Sequence, residues 1–216
     1  KAGLDEDKIT YIPNFVSKEK FYKKSASEIK KIRQKYDLNE DDFVVLGAGQ
    51  VQNRKGVVDF VEVAKMLPDI KFIWAGGFSF GAITDGHKKL EQIMKNPPKN
   101  VKFLGIIPRD DMNDLFNAGD LLFVPSYNEL FPMTILEACS TDTPILLRNL
   151  ELYEDILFKK YLCADNNKEF AKLIKLYKDN KKVYNEQVEN AKYISNFYSK
   201  GNIYKMWKEF YTSILK

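Results

Sequence analysis

Histidine is almost missing from this 216-residue chain, with His87 its single example, and cysteine is scarce, with only Cys139 and Cys163. Neither cysteine has a second cysteine or a histidine beside it, so the spacings that build a metal cluster are excluded and both read as small buried hydrophobes. His87, at a predicted helix start in Thr84-Asp85-Gly86-His87, has no carboxylate or nucleophile set against it and reads as structural or exposed. Asp5-Glu6-Asp7 and Asp110-Asp111 are turn or helix-start acids, and no bound metal or other cofactor is inferred. Long apolar runs are lacking too, so no segment reads as membrane-spanning. The opening Lys1-Ala2-Gly3-Leu4-Asp5-Glu6-Asp7 lacks the apolar centre of a cleaved leader, and the expectation is a cytoplasmic protein. Arginine supplies only Arg33, Arg54, Arg109 and Arg148 of the 34 cations behind the net charge of +4. The lysines from Lys18 to Lys35 and from Lys159 to Lys182 read first as solvated helix faces. They would also suit peripheral contact with an anionic membrane, at about 1 kcal/mol for each that reaches the surface. No recognition motif accompanies the charge, which argues against a nucleic-acid partner.

What is present is ordinary globular material, 44% hydrophobic and 30% charged, of a length that suits one large α/β unit with a helical extension. Phe43-Val44-Val45-Leu46 predicts a buried strand ending at Gly47-Ala48-Gly49, and Val57, Phe60, Val61 and Ala64 give residues 56–66 helical spacing. The unit recurs, with strands over 70–75, 101–104, 120–124, 144–147 and 161–164 and helices over 85–94, 110–118 and 133–140. Six strands with little alternation, separated by short helices, imply a Rossmann-like, doubly wound α/β sheet that binds ligands at its carboxyl edge. Ahead of it, Ile9 to Asn14 is extended and Ser17 is placed to cap a helix running to Tyr36. After Asn166 three helices are predicted. Their stripe of Phe197, Tyr198, Tyr204, Trp207, Phe210 and Tyr211 is a packing surface, part of it for something outside the chain.

The chemistry concentrates in two loops. Glu129-Leu130-Phe131-Pro132-Met133-Thr134-Ile135-Leu136-Glu137 sets two glutamates eight positions apart around a proline suited to the first turn of a helix. At about 1.5 Å rise per residue the carboxylates stand roughly 10 Å apart, too far to share a proton. That span suits two hydroxyl-bearing groups joined by a diphosphate whose charge faces the free N–H groups of the helix start. The sugar would meet Glu129 and the ribose Glu137. The bland alternative is a pair of solvent-facing acids near a helix. The loop Gly49-Gln50-Val51-Gln52-Asn53-Arg54-Lys55-Gly56 also joins a strand to a helix, so its backbone amides and the Lys55 ammonium could hold phosphate oxygens. Lys55 read alone is equally a surface cation. Gly47-x-Gly49 is not a dinucleotide fingerprint, since Gln52 stands where the third glycine belongs and no acid ends the second strand.

Taken in order, these features resemble the donor-binding half of the retaining GT-B glycosyltransferases, specifically glycosyltransferase family 4. Ile12-Pro13-Asn14 resembles the interdomain hinge. The series continues through Gly49 to Gly56, Gly76-Gly77, Asn100 to Gly105, Ala118-Gly119-Asp120, Pro125-Ser126, Glu129 to Glu137, and Thr143-Pro144. The resemblance implies one C-terminal donor domain over 1–216, with a hinge segment over 1–17, a helical tail over 166–216 and an acceptor domain that is absent. It implies Glu129 on donor-sugar hydroxyls, Glu137 on the ribose, and Lys55 on the diphosphate beside Gly49 and Gln50. Backbone amides at Phe131, Met133 and Thr134 would add to the phosphate contacts, and Ile107 would frame the base. Gln50 departs from a common arginine, leaving Arg54 or Arg109 to compensate; Leu130, Pro132 and Asp142 replace frequent glycines. Gly49-Gln50-Val51-Gln52 and Gly76-Gly77-Phe78-Ser79-Phe80-Gly81 are also similar to bacterial transferases that glucosylate diacylglycerol, implying UDP-glucose as donor. Two other readings stay open: an epimerase-like two-domain nucleotide-sugar enzyme, and a noncatalytic nucleotide-binding or membrane-docking module. Transfer by this chain alone is expected to be slight.

Overall fold

A computed structural model describes residues 9–78 and 86–215. Asp5-Glu6-Asp7, Ser79-Phe80-Gly81 and Thr84-Asp85 lie outside the described residues. Six strands, β1 (Val44–Ala48), β2 (Lys71–Ala75), β3 (Val101–Gly105), β4 (Leu121–Val124), β5 (Ile145–Arg148) and β6 (Leu162–Ala164), form one parallel sheet in the order β3-β2-β1-β4-β5-β6. The order reverses between β1 and β4, and the crevice outside their carboxyl ends is where a doubly wound sheet receives ligands.

Apolar residues on successive positions of one strand face opposite layers, and this sets the helices on both sides. Val45, Leu121, Phe123 and Leu146 pack beneath α2 (Val57–Met66), α3 (His87–Lys95) and α7 (Asn167–Asp179). Phe60 centres that layer, 5.3 Å from Phe72, 5.1 Å from Trp74 and 5.8 Å from Phe123, ring centre to ring centre. Val44, Leu46, Leu122, Val124 and Leu147 face the other layer. It is made by α1 (Ala26–Lys35), α4 (Met112–Ala118), α5 (Met133–Ser140), α6 (Leu152–Ile156), α8 (Lys181–Phe197) and α9 (Lys200–Ile214).

Two expectations need correction. Ser17 does not cap a long helix: it closes a single turn through its carbonyl to Lys20 and Phe21, and α1 starts only after Ser25. Ser25 and Glu28 form a reciprocal capping box there. Residues 18–24 are drawn away from helix by α4, where Asn113 Oδ1 accepts from the Tyr22 N–H at 3.0 Å and Asn117 Oδ1 from the Lys24 N–H at 2.8 Å. Cys163 is exposed, because β6 is the edge strand, whereas Cys139 on α5 is fully buried as expected. The short α6 was not anticipated from the sequence. The three tail helices are present, and their aromatic stripe divides. Phe197 and Tyr198 pack on Phe158, at 4.6 and 6.3 Å, while Tyr204, Trp207 and Tyr211 are exposed. The hinge-like segment runs along the α8–α9 junction, where the Val16 N–H donates to the Tyr198 carbonyl at 3.1 Å.

Candidate functional site

Three loops are laced together at the carboxyl edge of the sheet. The Gly49 N–H donates to the Ala75 carbonyl at 2.9 Å, Val51 N–H to Gly77 at 3.0 Å, and Gly76 N–H to Gly105 at 2.8 Å. Gly76, at φ 138°, has to be glycine, since a Cβ there would run into the Gly49 carbonyl oxygen. Gly56 at φ 70° likewise has no room for a side chain, because the Pro125 carbonyl lies against it. That close approach brings the loop after β1 to the loop after β4, which are adjacent strands at the reversal point.

The approach has a chemical consequence. Lys55, in a 3-10 turn over Asn53–Lys55, places Nζ 2.6 and 2.8 Å from the two Glu129 carboxylate oxygens across 74 residues of sequence. Both side chains are largely covered, at 17% and 6% exposure. Arg54 holds the same loop from one side, donating to the Asn128 carbonyl at 3.3 Å and to Gln52 Oε1 at 3.0 Å. Gln50 Oε1 accepts from Gln52 Nε2 at 2.7 Å. Thus Lys55, Glu129, Gly49 and Gln50 share one corner of the molecule.

Helix α5 starts at Met133 after Pro132, as the sequence predicts, so its leading amides have no carbonyl one turn back to bond. The Phe131 ring packs at 5.7 Å on Tyr198, which anchors the entry to the helix. Glu137 lies farther along α5 and is buried, its side chain 2% exposed, with Arg109 Nη2 at 2.6 Å from Oε1. Burial raises the Glu137 pKa above the ordinary carboxylate value, and the Arg109 charge works against that rise. Ile107 sits two residues before Arg109, half-buried beside the same layer. Among the two candidate compensating arginines, then, Arg109 is engaged by Glu137 and Arg54 by the loop before Glu129.

Two residues of this edge carried no sequence signal. Arg148, at the end of β5, donates from Nε to the Pro125 carbonyl at 2.9 Å and from Nη2 to Asp59 Oδ2 at 2.9 Å, and lies 3.9 Å over the Tyr127 ring. It therefore fixes the path of the loop that ends in Glu129. Tyr153 on α6 is fully buried, and among the described residues its hydroxyl is without a hydrogen-bond partner. Burial, with a smaller contribution from the Glu129 charge, pushes its phenol up. His87 caps nothing chemical: its ring lies 4.4 Å from Phe78. No helix among the described residues is long and apolar enough to cross a membrane.

With the geometry in place, three kinds of relative can be set beside it. The family described as Glycosyl transferases group 1 matches residues 28–193. The chain is 48% identical over 210 residues to the alpha-galactosylglucosyldiacylglycerol synthase of Streptococcus pneumoniae, covering 97% of this chain and 56% of that protein. It is 34% identical over 199 residues to the processive diacylglycerol alpha-glucosyltransferase of Acholeplasma laidlawii, covering 90% and 58%. The chain thus spans about half the length of the curated relatives it matches. Among solved structures, Anabaena HepE in complex with UDP-glucose superposes with a TM-score of 0.84 at 24% identity, over 98% of this chain and 59% of that one. That likeness speaks to the fold.

Proposed function

The chain belongs to the group 1 glycosyl transferases, and from that membership we propose that it is the nucleotide-sugar half of an enzyme that transfers a hexose to a diacylglycerol-based membrane lipid. The observation that carries the proposal is the carboxyl edge itself, where Glu129 and Glu137 bracket the start of α5 and Lys55 comes across from the loop after β1. A diphosphate laid over the helix start would find the amides of Met133 and Thr134 and the Lys55 ammonium. The ribose would reach Glu137, and the hexose hydroxyls would reach Glu129. Binding is then an exchange of partners: Lys55 leaves a carboxylate for a phosphate, and Glu129 leaves an ammonium for hydroxyls.

The same contacts serve the reaction. As the bond to the anomeric carbon breaks, negative charge grows on the departing diphosphate, and fixed cationic and N–H groups stabilise it more in the transition state than in the bound donor. Neither glutamate is asked to move a proton. We take transfer to be retaining, with the acceptor attacking on the face the diphosphate leaves, in a cleft closed by a second domain. The donor is a UDP-hexose, and no metal or cofactor is assigned to this reading. Glucose is the first choice, in line with the name of the Acholeplasma relative; galactose is favoured by the name of the more similar streptococcal one. Lipid acceptors place the enzyme at a membrane surface, with the lysine-rich helices as its peripheral contact.

Calorimetric titration of UDP, GDP, UDP-glucose and UDP-galactose tests the reading. Binding of a UDP-hexose that is weakened in both Lys55→Ala and Glu137→Ala is the expected result. Affinity unchanged in both variants would remove these residues from the site.

A further inference from the structure

The side chain of Glu137 is 2% exposed, and a carboxylate so covered cannot meet a ligand unless something moves. What meets it is Arg109, whose own side chain is 65% exposed and whose contact is a single Nη2–Oε1 bond of 2.6 Å. The asymmetry matters: the acid is fixed in a helix and the base is lightly held at the surface. Arg109 begins the short 3-10 turn Arg109–Asp111, which leads into α4. Its guanidinium also lies 5.6 Å over the Phe21 ring. That ring and Arg109 itself line a polar cavity of about 230 Å³ that carries the carboxylates of Glu19, Asp110 and Asp114 and the ammonium groups of Lys20 and Lys24, the last paired with Asp114 at 2.7 Å. A guanidinium turning away from Glu137 therefore keeps the aromatic face it already touches and has the Glu19 and Asp110 carboxylates within the same cavity, so it gives up little of its solvation.

We propose that Arg109 is a latch on Glu137, holding the buried carboxylate in the ligand-free site and swinging toward the Phe21 cavity to release it to the ribose. The inference rests on the reading of Glu137 as the ribose acceptor and adds a positioning residue to it. Arg109 offsets the unpaired charge of Glu137 while the site waits, and competes with the incoming hydroxyls for the same oxygens. Because the cavity wall is the segment that α4 holds through Asn113 and Asn117, the released position lies against the stretch that follows the hinge.

The test is a calorimetric cycle at pH 8 with UDP and 2′,3′-dideoxy-UDP on the wild type, Arg109→Ala, Glu137→Gln and the double variant. Removing the latch is expected to tighten UDP binding about five- to tenfold, the equivalent of one charged hydrogen bond no longer broken. Dideoxy-UDP should not respond, the gain should vanish in the Glu137→Gln background, and Arg109→Lys should stay near wild type. Weaker or unchanged UDP binding in Arg109→Ala, or an equal gain for both nucleotides, overturns the latch. If Glu137→Gln weakens UDP and Arg109→Ala does not tighten it, the ribose reading stands and the latch alone falls. If Glu137→Gln leaves UDP affinity untouched, both fall.

Discussion

The two edges of one sheet handle their polar groups in opposite ways. At the amino edge, Asp120 Oδ2 accepts from the Val44 N–H at 2.7 Å and from Arg33 Nη1 at 3.4 Å, and Arg33 also donates to the Asp42, Asn39 and Ala118 carbonyls. Asn100 Nδ2 spans the Ala64, Leu67 and Ile70 carbonyls at 2.9, 2.9 and 3.0 Å. Side chains there are bonded mainly to backbone, and the one charged pair, Arg33 with Asp120, is itself tied to backbone on both sides. At the carboxyl edge Arg148 and Arg54 also hold backbone carbonyls, but the residues of the candidate site bond to each other, Lys55 with Glu129 and Arg109 with Glu137. Pairs of side chains can be exchanged for a ligand; side chains that satisfy backbone cannot. Stability is placed at one end and recognition at the other.

The contrast can be broken most forcefully at Asp120. Asp120→Ala orphans a strand N–H and leaves Arg33 without its carboxylate, and should cost roughly 2 to 4 kcal/mol of unfolding free energy, allowing for the partial exposure of the pair. Chemical denaturation would measure it, and a loss under 1 kcal/mol would dissolve the distinction. Lys55→Ala should do the reverse, lowering UDP-hexose affinity by about 2 kcal/mol with a smaller change in Tm. A variant that unfolds without losing affinity per folded molecule would make Lys55 structural. Tyr153→Phe removes the buried hydroxyl that has no hydrogen-bond partner among the described residues and should raise stability by about 1 kcal/mol, seen as a higher Tm. A lower Tm would show that the hydroxyl is satisfied in solution.

The smallest effect is graded with pH. Burial favours the neutral form of Glu137, so the folded state binds this proton more tightly than the unfolded chain does. Its contribution to stability is therefore greatest at low pH and declines as pH rises from the ordinary glutamate value of 4.5 through the raised one. In Glu137→Gln that decline should be missing, and the Tm difference from wild type should grow in favour of the variant across this window and then level. Parallel Tm–pH curves would contradict it.

Much of this was legible in the chain. Apolar runs ending at Gly47, Gly76 and Gly105 predict strands, and β1, β2 and β3 end at or next to those glycines; at Gly76 the loops cross where a side chain does not fit. Pro132 marks the start of α5, and the ordered motifs identified the GT-B family that the relatives bear out. What was not legible is tertiary. Ser25-x-x-Glu28 was a readable cap, yet Ser17 took its place because nothing local says that Asn113 and Asn117 hold Tyr22 and Lys24 out of the helix. Cys163 lies in an apolar run but on an edge strand, and edge position depends on strand order. The pairs Lys55–Glu129 and Arg109–Glu137 join residues 74 and 28 positions apart, and Arg148 reaches back to Asp59 across 89. Sequence shows which residues could serve, and folding decides which of them meet.

A crystal structure of the chain with a UDP-hexose bound would test the central claim most directly. The account predicts the diphosphate over the Met133 and Thr134 amides with Lys55 turned to it, the ribose at Glu137 and the sugar at Glu129. A nucleotide lodged elsewhere, with Lys55 still on Glu129 and Arg109 still on Glu137, would contradict it.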